Sequence, residues 1–221
     1  RLAATRFADA RGAVELLEQE AQGLTAHHRL HAIGQRVDLE TALGGWDAIR
    51  SVTSATEAAV EANLATPCPL NIASLFNCAL AAALVGDESE ARRLEGAAYA
   101  TGMTGYGFAT DAVRILLALA KRDLTEAREI VEQLDPELLE SWSVRIRASL
   151  FDALAALGER QRIEADAPEW IERPGYARPF ALRALGLVRE DEALVEQAAA
   201  AFDAIGLVWH AQRTRERKII G

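Results

Sequence analysis

The chain has 221 residues, half of them hydrophobic and few aromatic, with a formal net charge of −9. That charge argues against direct nucleic-acid contact, which needs clustered Lys and Arg to neutralise phosphates. No apolar run of eighteen residues occurs and no signal-peptide pattern opens the chain, so no membrane span is expected.

Cys68 and Cys78 are the two cysteines and form no disulfide framework, which fits a reducing cytoplasm. Because the sequence starts at Arg1 rather than Met, a piece of a longer polypeptide is expected, read as one domain over 1–221.

In chain order, Arg1 to Glu20 reads as a helix with Phe7, Ala10, Val14 and Leu17 on one face. Gly23 ends it, and Thr25 is placed to cap a second helix, Ala26 to Leu43. That helix is polar for a core element, carrying His27, His28, His31, Gln35, Arg36, Asp38 and Glu40. Its partner runs from Trp46 to Ala65, and Pro67 and Pro69 then forbid a continuing helix. Ile72, Leu75, Phe76, Ala79 and Ala83 form the next apolar stripe, which Gly86 stops. Asp87 can cap the following helix with Glu90 in capping-box position, and Ala91, Leu94 and Ala98 make its face.

The glycine-rich run from Thr101 to Phe108 is a connection, since no strand precedes it and no Gly-Lys-Ser/Thr occurs. Asp111 to Ala120 is apolar almost all round, with Arg114 as its one interior charge, and so is expected to be buried. Asp135-Pro136 opens a helix reaching Leu157, with a break expected near Ser141 or Ser143. Pro168, Pro174-Gly175 and Pro179 are expected to make the region after Ala165 irregular. Two more helices follow, Ala177 to Val188 and Asp191 to Ile205. Gly206 then precedes a final basic helix, Trp209 to Lys218, whose charges alternate with Glu216 and suit a solvated face.

These pieces repeat. Asp87-Glu-Ser-Glu-Ala-Arg92 is echoed by Asp123-Leu-Thr-Glu-Ala-Arg128 at a spacing of 36, and Gly158-Glu159 makes the same break 36 residues further on. Gly44-Gly45-Trp46-Asp47 makes a similar turn upstream, and Asp191 opens a helix downstream at a shorter spacing. Two helices on a period in the middle thirties resemble the tetratricopeptide repeat. The expected fold is therefore all-α, a right-handed α-solenoid of tetratricopeptide-like helix-turn-helix repeats.

Several stretches resemble a more specific family. They are His27-His-Arg-Leu-His31, Gly44-Gly-Trp-Asp47, Asn63 through Thr66-Pro-Cys68 to Asn71, the Ser74 to Glu95 unit, and Ala200 to Thr214. In this order they are similar to the C-terminal helical-repeat region of large bacterial signalling regulators. Those proteins carry an adenylate or guanylate cyclase-like domain, or a LuxR-type DNA-binding domain, alongside an AAA/STAND ATPase module. The resemblance implies a sensor or scaffold region that binds a protein partner or a small-molecule inducer and passes the message to effector domains. No P-loop and no cyclase aspartate pair occurs in this sequence, and no enzyme activity or cofactor is expected of it.

If first helices line a concave groove, His31, Gln35, Asp38, Asn77, Arg114, Arg145 and Asp152 face it, and further along Arg178 and Arg183. Isolated charges on apolar helices are costly unless paired or used, so Arg114 is either a ligand anchor or a bridge to an acid such as Asp152. His27 and His31 share a helix face and could hold a metal, but no Cys or acid stands at a telling spacing for a third ligand. A surface or packing role is preferred there, with no metal assigned. A small metal-dependent protein on the His27/His31 face, or a plain homo-oligomerising scaffold, are the competing readings.

Overall fold

The computed structural model describes residues 6–103, 105–134 and 144–220, and these contain twelve helices and no strand. The helices are α1 (Phe7–Ala21), α2 (Ala26–Leu43), α3 (Trp46–Ala62), α4 (Pro69–Leu84), α5 (Glu88–Ala100), α6 (Gly107–Ala120), α7 (Leu124–Gln133), α8 (Val144–Ala156), α9 (Arg160–Glu172), α10 (Arg178–Arg189), α11 (Glu192–Ala204) and α12 (Val208–Arg215). The fold is all-α. No helix among the described residues is long and apolar enough to cross a membrane.

One turn recurs through both halves of the chain. A residue in the left-handed region ends a helix, and the next residue is already the N-cap of the following one. Gly44, Gly86, Gly158 and Gly206 hold that left-handed position, as do Arg122 and Glu190. In each case the N–H of the next residue donates to a carbonyl five residues back: Gly45 to Glu40, Asp87 to Ala82, Asp123 to Ala118, Glu159 to Leu154, Asp191 to Gly186 and Leu207 to Phe202, all at 2.8–3.0 Å. This is the Schellman closure, which satisfies carbonyls that a helix end would otherwise leave orphaned. At three of the turns an aspartate then caps the new helix. Asp87 accepts from the Glu90 N–H, Asp123 from the Glu126 N–H, and Asp191 from the Ala193 and Leu194 N–H groups.

The chain divides into two compact units, residues 6–113 and residues from 114 onward, the boundary falling inside α6. In the first unit α1 packs on α2, α2 on α3, α3 on α4 and α4 on α5, while α2 also packs on α4. α4 is the centre of this unit, since every residue from Asn71 to Ala82 is buried. In the second unit α7 packs on α8, α8 on α9, α9 on α10, α10 on α11 and α11 on α12, while α8 also packs on α10. There α10 is central, buried from Pro179 to Gly186.

Side-chain contacts between like helices fall at near-constant sequence offsets. Thr41 on α2 meets Asn77 on α4, and Glu57 on α3 meets Arg93 on α5, both 36 residues apart. In the second unit Asp152 on α8 meets Arg183 on α10, which meets Thr214 on α12, each 31 residues apart.

Several local expectations are revised. Thr25 makes no capping bond to the backbone; its hydroxyl pairs instead with His28 Nδ1 at 2.8 Å. The irregular region expected from Ala165 is helical through Glu172, because α9 continues past Pro168. Pro168 is exposed, so the Glu164 carbonyl that loses its donor lies on the watered side of the helix. The expected starts at Arg1 and at Asp135-Pro136, and the break near Ser141 or Ser143, lie outside the described residues.

The helix Asp111 to Ala120, expected to be buried, is not so throughout: Leu116 is only half-buried, between the buried Ile115 and Leu117, whereas Leu75 of α4 is buried. Leu75→Ala should therefore cost about 2–5 kcal/mol, the range for truncating a core leucine. Leu116→Ala should cost clearly less. Urea unfolding followed by circular dichroism measures both, and equal losses would place Leu116 in the core after all.

Candidate functional site

The site begins with α2, whose first turns carry His27 and His31. Four residues apart on a helix they lie one above the other on one face, and their ring centroids are 4.4 Å apart. Both are half-buried, and His27 Nδ1 is shielded from solvent with no hydrogen-bond partner. Burial, reinforced by the neighbouring charges of His27 and His28, holds the His31 imidazole below its usual value and so favours the neutral ring.

The fold brings Cys68 to this face. Its Sγ stands 3.7 Å from His31 Nε2, across a sequence separation of 37. One donor atom from each of His27, His31 and Cys68 lies within 4.8 Å of the others. Among the described residues no other group of three or more His, Cys, Asp or Glu gathers so closely.

Two devices place Cys68. The first is the close approach of α2 and α4. A Cβ on Gly34 would come within 3.0 Å of Ser74 Oγ, so the absent side chain is what lets α4 lie against α2. Thr41 Oγ1 donates to Asn77 Oδ1 at 2.8 Å further along the same contact, which makes the two helices parallel and sets their register.

The second device is a pair of asparagines. Asn63 and Asn71 are fully buried, and Asn63 Nδ2 donates to Asn71 Oδ1 at 2.9 Å. The same Oδ1 accepts from the Cys68 backbone N–H at 3.0 Å, and Asn71 Nδ2 donates to the Val60 carbonyl at 3.3 Å. Asn63 Oδ1 accepts from Thr66 Oγ1 at 2.9 Å. Every polar atom of the pair is used, which is how a buried network holds one conformation. The loop that carries Cys68 is pinned at both ends.

The other cysteine has a different character. Cys78 lies inside α4 and is 1 % exposed, and burial pushes its thiol up to about 11 against the pull of the Thr53 and Thr56 hydroxyls. It is an inert core residue.

The residues expected to line a groove fall in both units. In the first, Gln35 is exposed, and His31 and Asp38 are half-buried. Asn77 is 2 % exposed and spends both ends of its amide inside the protein, accepting from Thr41 and donating to the Ala73 carbonyl. It is a packing residue, not a groove residue. In the second unit Arg114 and Arg145 are half-buried.

Asp152 needs the clearest correction. It is 2 % exposed, and both its oxygens accept from Arg183 Nη2, at 2.6 and 2.8 Å. Its partner is thus Arg183, not Arg114, and Arg183 itself, 1 % exposed, leaves the groove list too. Burial raises the Asp152 carboxyl to about 6 against the opposing pull of Arg183. The guanidinium carbon of Arg183 sits 5.1 Å from the centroid of Phe180 and 4.9 Å from that of Phe202, with Thr214 Oγ1 3.4 Å from Nη1. The charge is closed in by aromatic faces and its carboxylate.

Comparison with protein-family models, with curated proteins and with solved structures yields no match to this chain.

The buried pair supports a double test. Arg183→Met alone should cost about 3–5 kcal/mol, because it strands the Asp152 carboxylate away from water. Adding Asp152→Leu should recover most of that loss, since replacing both members of a buried ion pair by apolar groups is often neutral or better. Denaturant unfolding of the two variants measures it. Additive losses would mean that the two residues act independently.

Proposed function

We propose that the chain is a non-catalytic regulatory module of a cytoplasmic signalling or transcription regulator. In this reading it is a right-handed α-solenoid of tetratricopeptide-like helix pairs that holds a protein partner or small-molecule inducer in a concave groove. The observation that carries the reading is the contact between like helices at a constant offset, 36 residues in the first unit and 31 in the second. Helix pairs that touch mainly their neighbours build a repeat stack, and such stacks present extended binding surfaces.

The cleft beside the polar helix α2 is too small to engulf a drug-sized inducer. The cleft between α1 and α2 has a volume of about 190 Å³ and is lined by Arg11, Glu18, Arg36, Leu39 and Glu40 among others. Pockets that engulf drug-sized molecules run to about 300–1,000 Å³. The cleft is also bridged by its own ion pairs, Arg11 with Glu40 at 3.2 Å and Arg36 with Glu18 at 3.5 Å.

With Asn77, Asp152 and Arg183 committed to the interior, the expected positions that reach solvent are His31, Gln35 and Asp38 in the first unit, and Arg114, Arg145 and Arg178 in the second. Native mass spectrometry of the chain as purified tests the reading, with Gln35→Ala and Arg114→Met run beside it. A bound ligand or peptide should be retained by the parent chain and weakened by about 2 kcal/mol or more in a variant that removes an anchor, with the melting temperature unchanged. A ligand held equally by both variants, or a large stability loss in Arg114→Met with binding intact, would remove the groove from the account.

A further inference from the structure

We propose that His27, His31 and Cys68 form a zinc site in the first unit, with the fourth coordination position open to water or an exogenous ligand. Two imidazoles and a thiolate are donors that zinc takes, and three protein ligands with one open position is the arrangement of its reactive sites. The spacing of the donors carries the argument. Around a tetrahedral zinc with Zn–S near 2.3 Å and Zn–N near 2.0–2.1 Å, a sulfur and a nitrogen stand about 3.6 Å apart. Cys68 Sγ and His31 Nε2 stand 3.7 Å apart, and His27 supplies the third donor within the same 4.8 Å cluster.

A thiol–imidazole hydrogen bond alone accounts for less. It gives His27 no role, although that ring packs on His31 with a shielded and unpartnered Nδ1. It also leaves unexplained why the Cys68 loop is anchored by a fully satisfied pair of buried asparagines. Ligand-bearing loops need that kind of second layer, because it fixes the donor before the metal arrives. Asn63 Nδ2 also approaches Cys68 Sγ, at 4.0 Å. Among the described residues no further His, Cys, Asp or Glu joins the cluster, so the fourth position falls to something other than those side chains.

The test uses the whole chain, stripped with a chelator and then given Zn²⁺ or Co²⁺ alone. Zinc affinity is read by competition with a chromophoric chelator. One zinc should bind per chain, and Co²⁺ should show thiolate-to-metal charge transfer with the strong d–d absorption of a four-coordinate ion. Cys68→Ser should abolish the charge-transfer band, and Cys68→Ser and His31→Ala should each weaken zinc by about a hundredfold or more, since even supporting residues cost 10–100-fold. Cys78→Ser and His28→Ala should leave both readings unchanged.

A second readout needs no variant: saturating zinc should protect Cys68 of the parent chain from alkylation, located by peptide mass, while Cys78 stays unreactive with or without metal. Any one of three results overturns the site. They are no zinc bound, Co²⁺ bound without the thiolate band, or Cys68 alkylated equally at saturating zinc.

Discussion

The turn between paired helices is the constraint on which the rest of this protein depends. A left-handed residue followed at once by an N-cap leaves no slack, so at these six turns the direction of the new helix is set by the end of the one before. Glycine meets the left-handed requirement at Gly44, Gly86, Gly158 and Gly206 without penalty. Arg122 and Glu190 meet it at a cost of roughly 1–2 kcal/mol each, the usual penalty for a side chain in that region. That two such residues are held there indicates that packing on both flanking helices, and the caps at Asp123 and Asp191, outweigh local preference.

Tight turns set the helix pairs, and polar contacts at the repeat offset set how like helices meet. The two units solve that second problem differently. In the first, a neutral hydrogen bond from Thr41 to Asn77 and a missing side chain at Gly34 bring α2 against α4. In the second, a buried charge pair joins α8 to α10, with Phe180 and Phe202 against the guanidinium. The neutral solution brings no charge into the interior. The charged one is costly to bury but specific, because no other register satisfies both ions. The His27–His31–Cys68 cluster is a product of the first solution, since only a close and parallel α2–α4 contact carries the start of α4 to the start of α2.

Local features were legible in the sequence and long-range ones were not. Asp87 and Asp123 announce their helices because a cap and the N–H groups it serves lie within three residues. The end of α2 at Leu43 is marked by the left-handed Gly44, and its start at Ala26 stands where the sequence places it although Thr25 makes no capping bond. Cys68 could not be joined to His31 by spacing, because the separation of 37 residues spans a whole helix, a turn and a proline loop. Nor could Asp152 be matched to Arg183 while Arg114 offered an equally isolated charge. The offset of 31 that separates the true pair differs from the 36 that the clearest repeat suggests. Pro168 misled for the opposite reason: a helix breaker was read locally, while its exposed position lets water serve the carbonyl it orphans.

The central claim is that like helices lie side by side and parallel, one repeat apart, and a single cross-link tests it most directly. Thr41→Cys and Asn77→Cys, introduced together with Cys68 and Cys78 replaced by serine, place two thiols on side chains whose ends meet at 2.8 Å across α2 and α4. Mild oxidation of the folded chain should therefore close the bond within the monomer. Persistence of both free thiols in a chain that keeps its helical spectrum would contradict the α2–α4 contact.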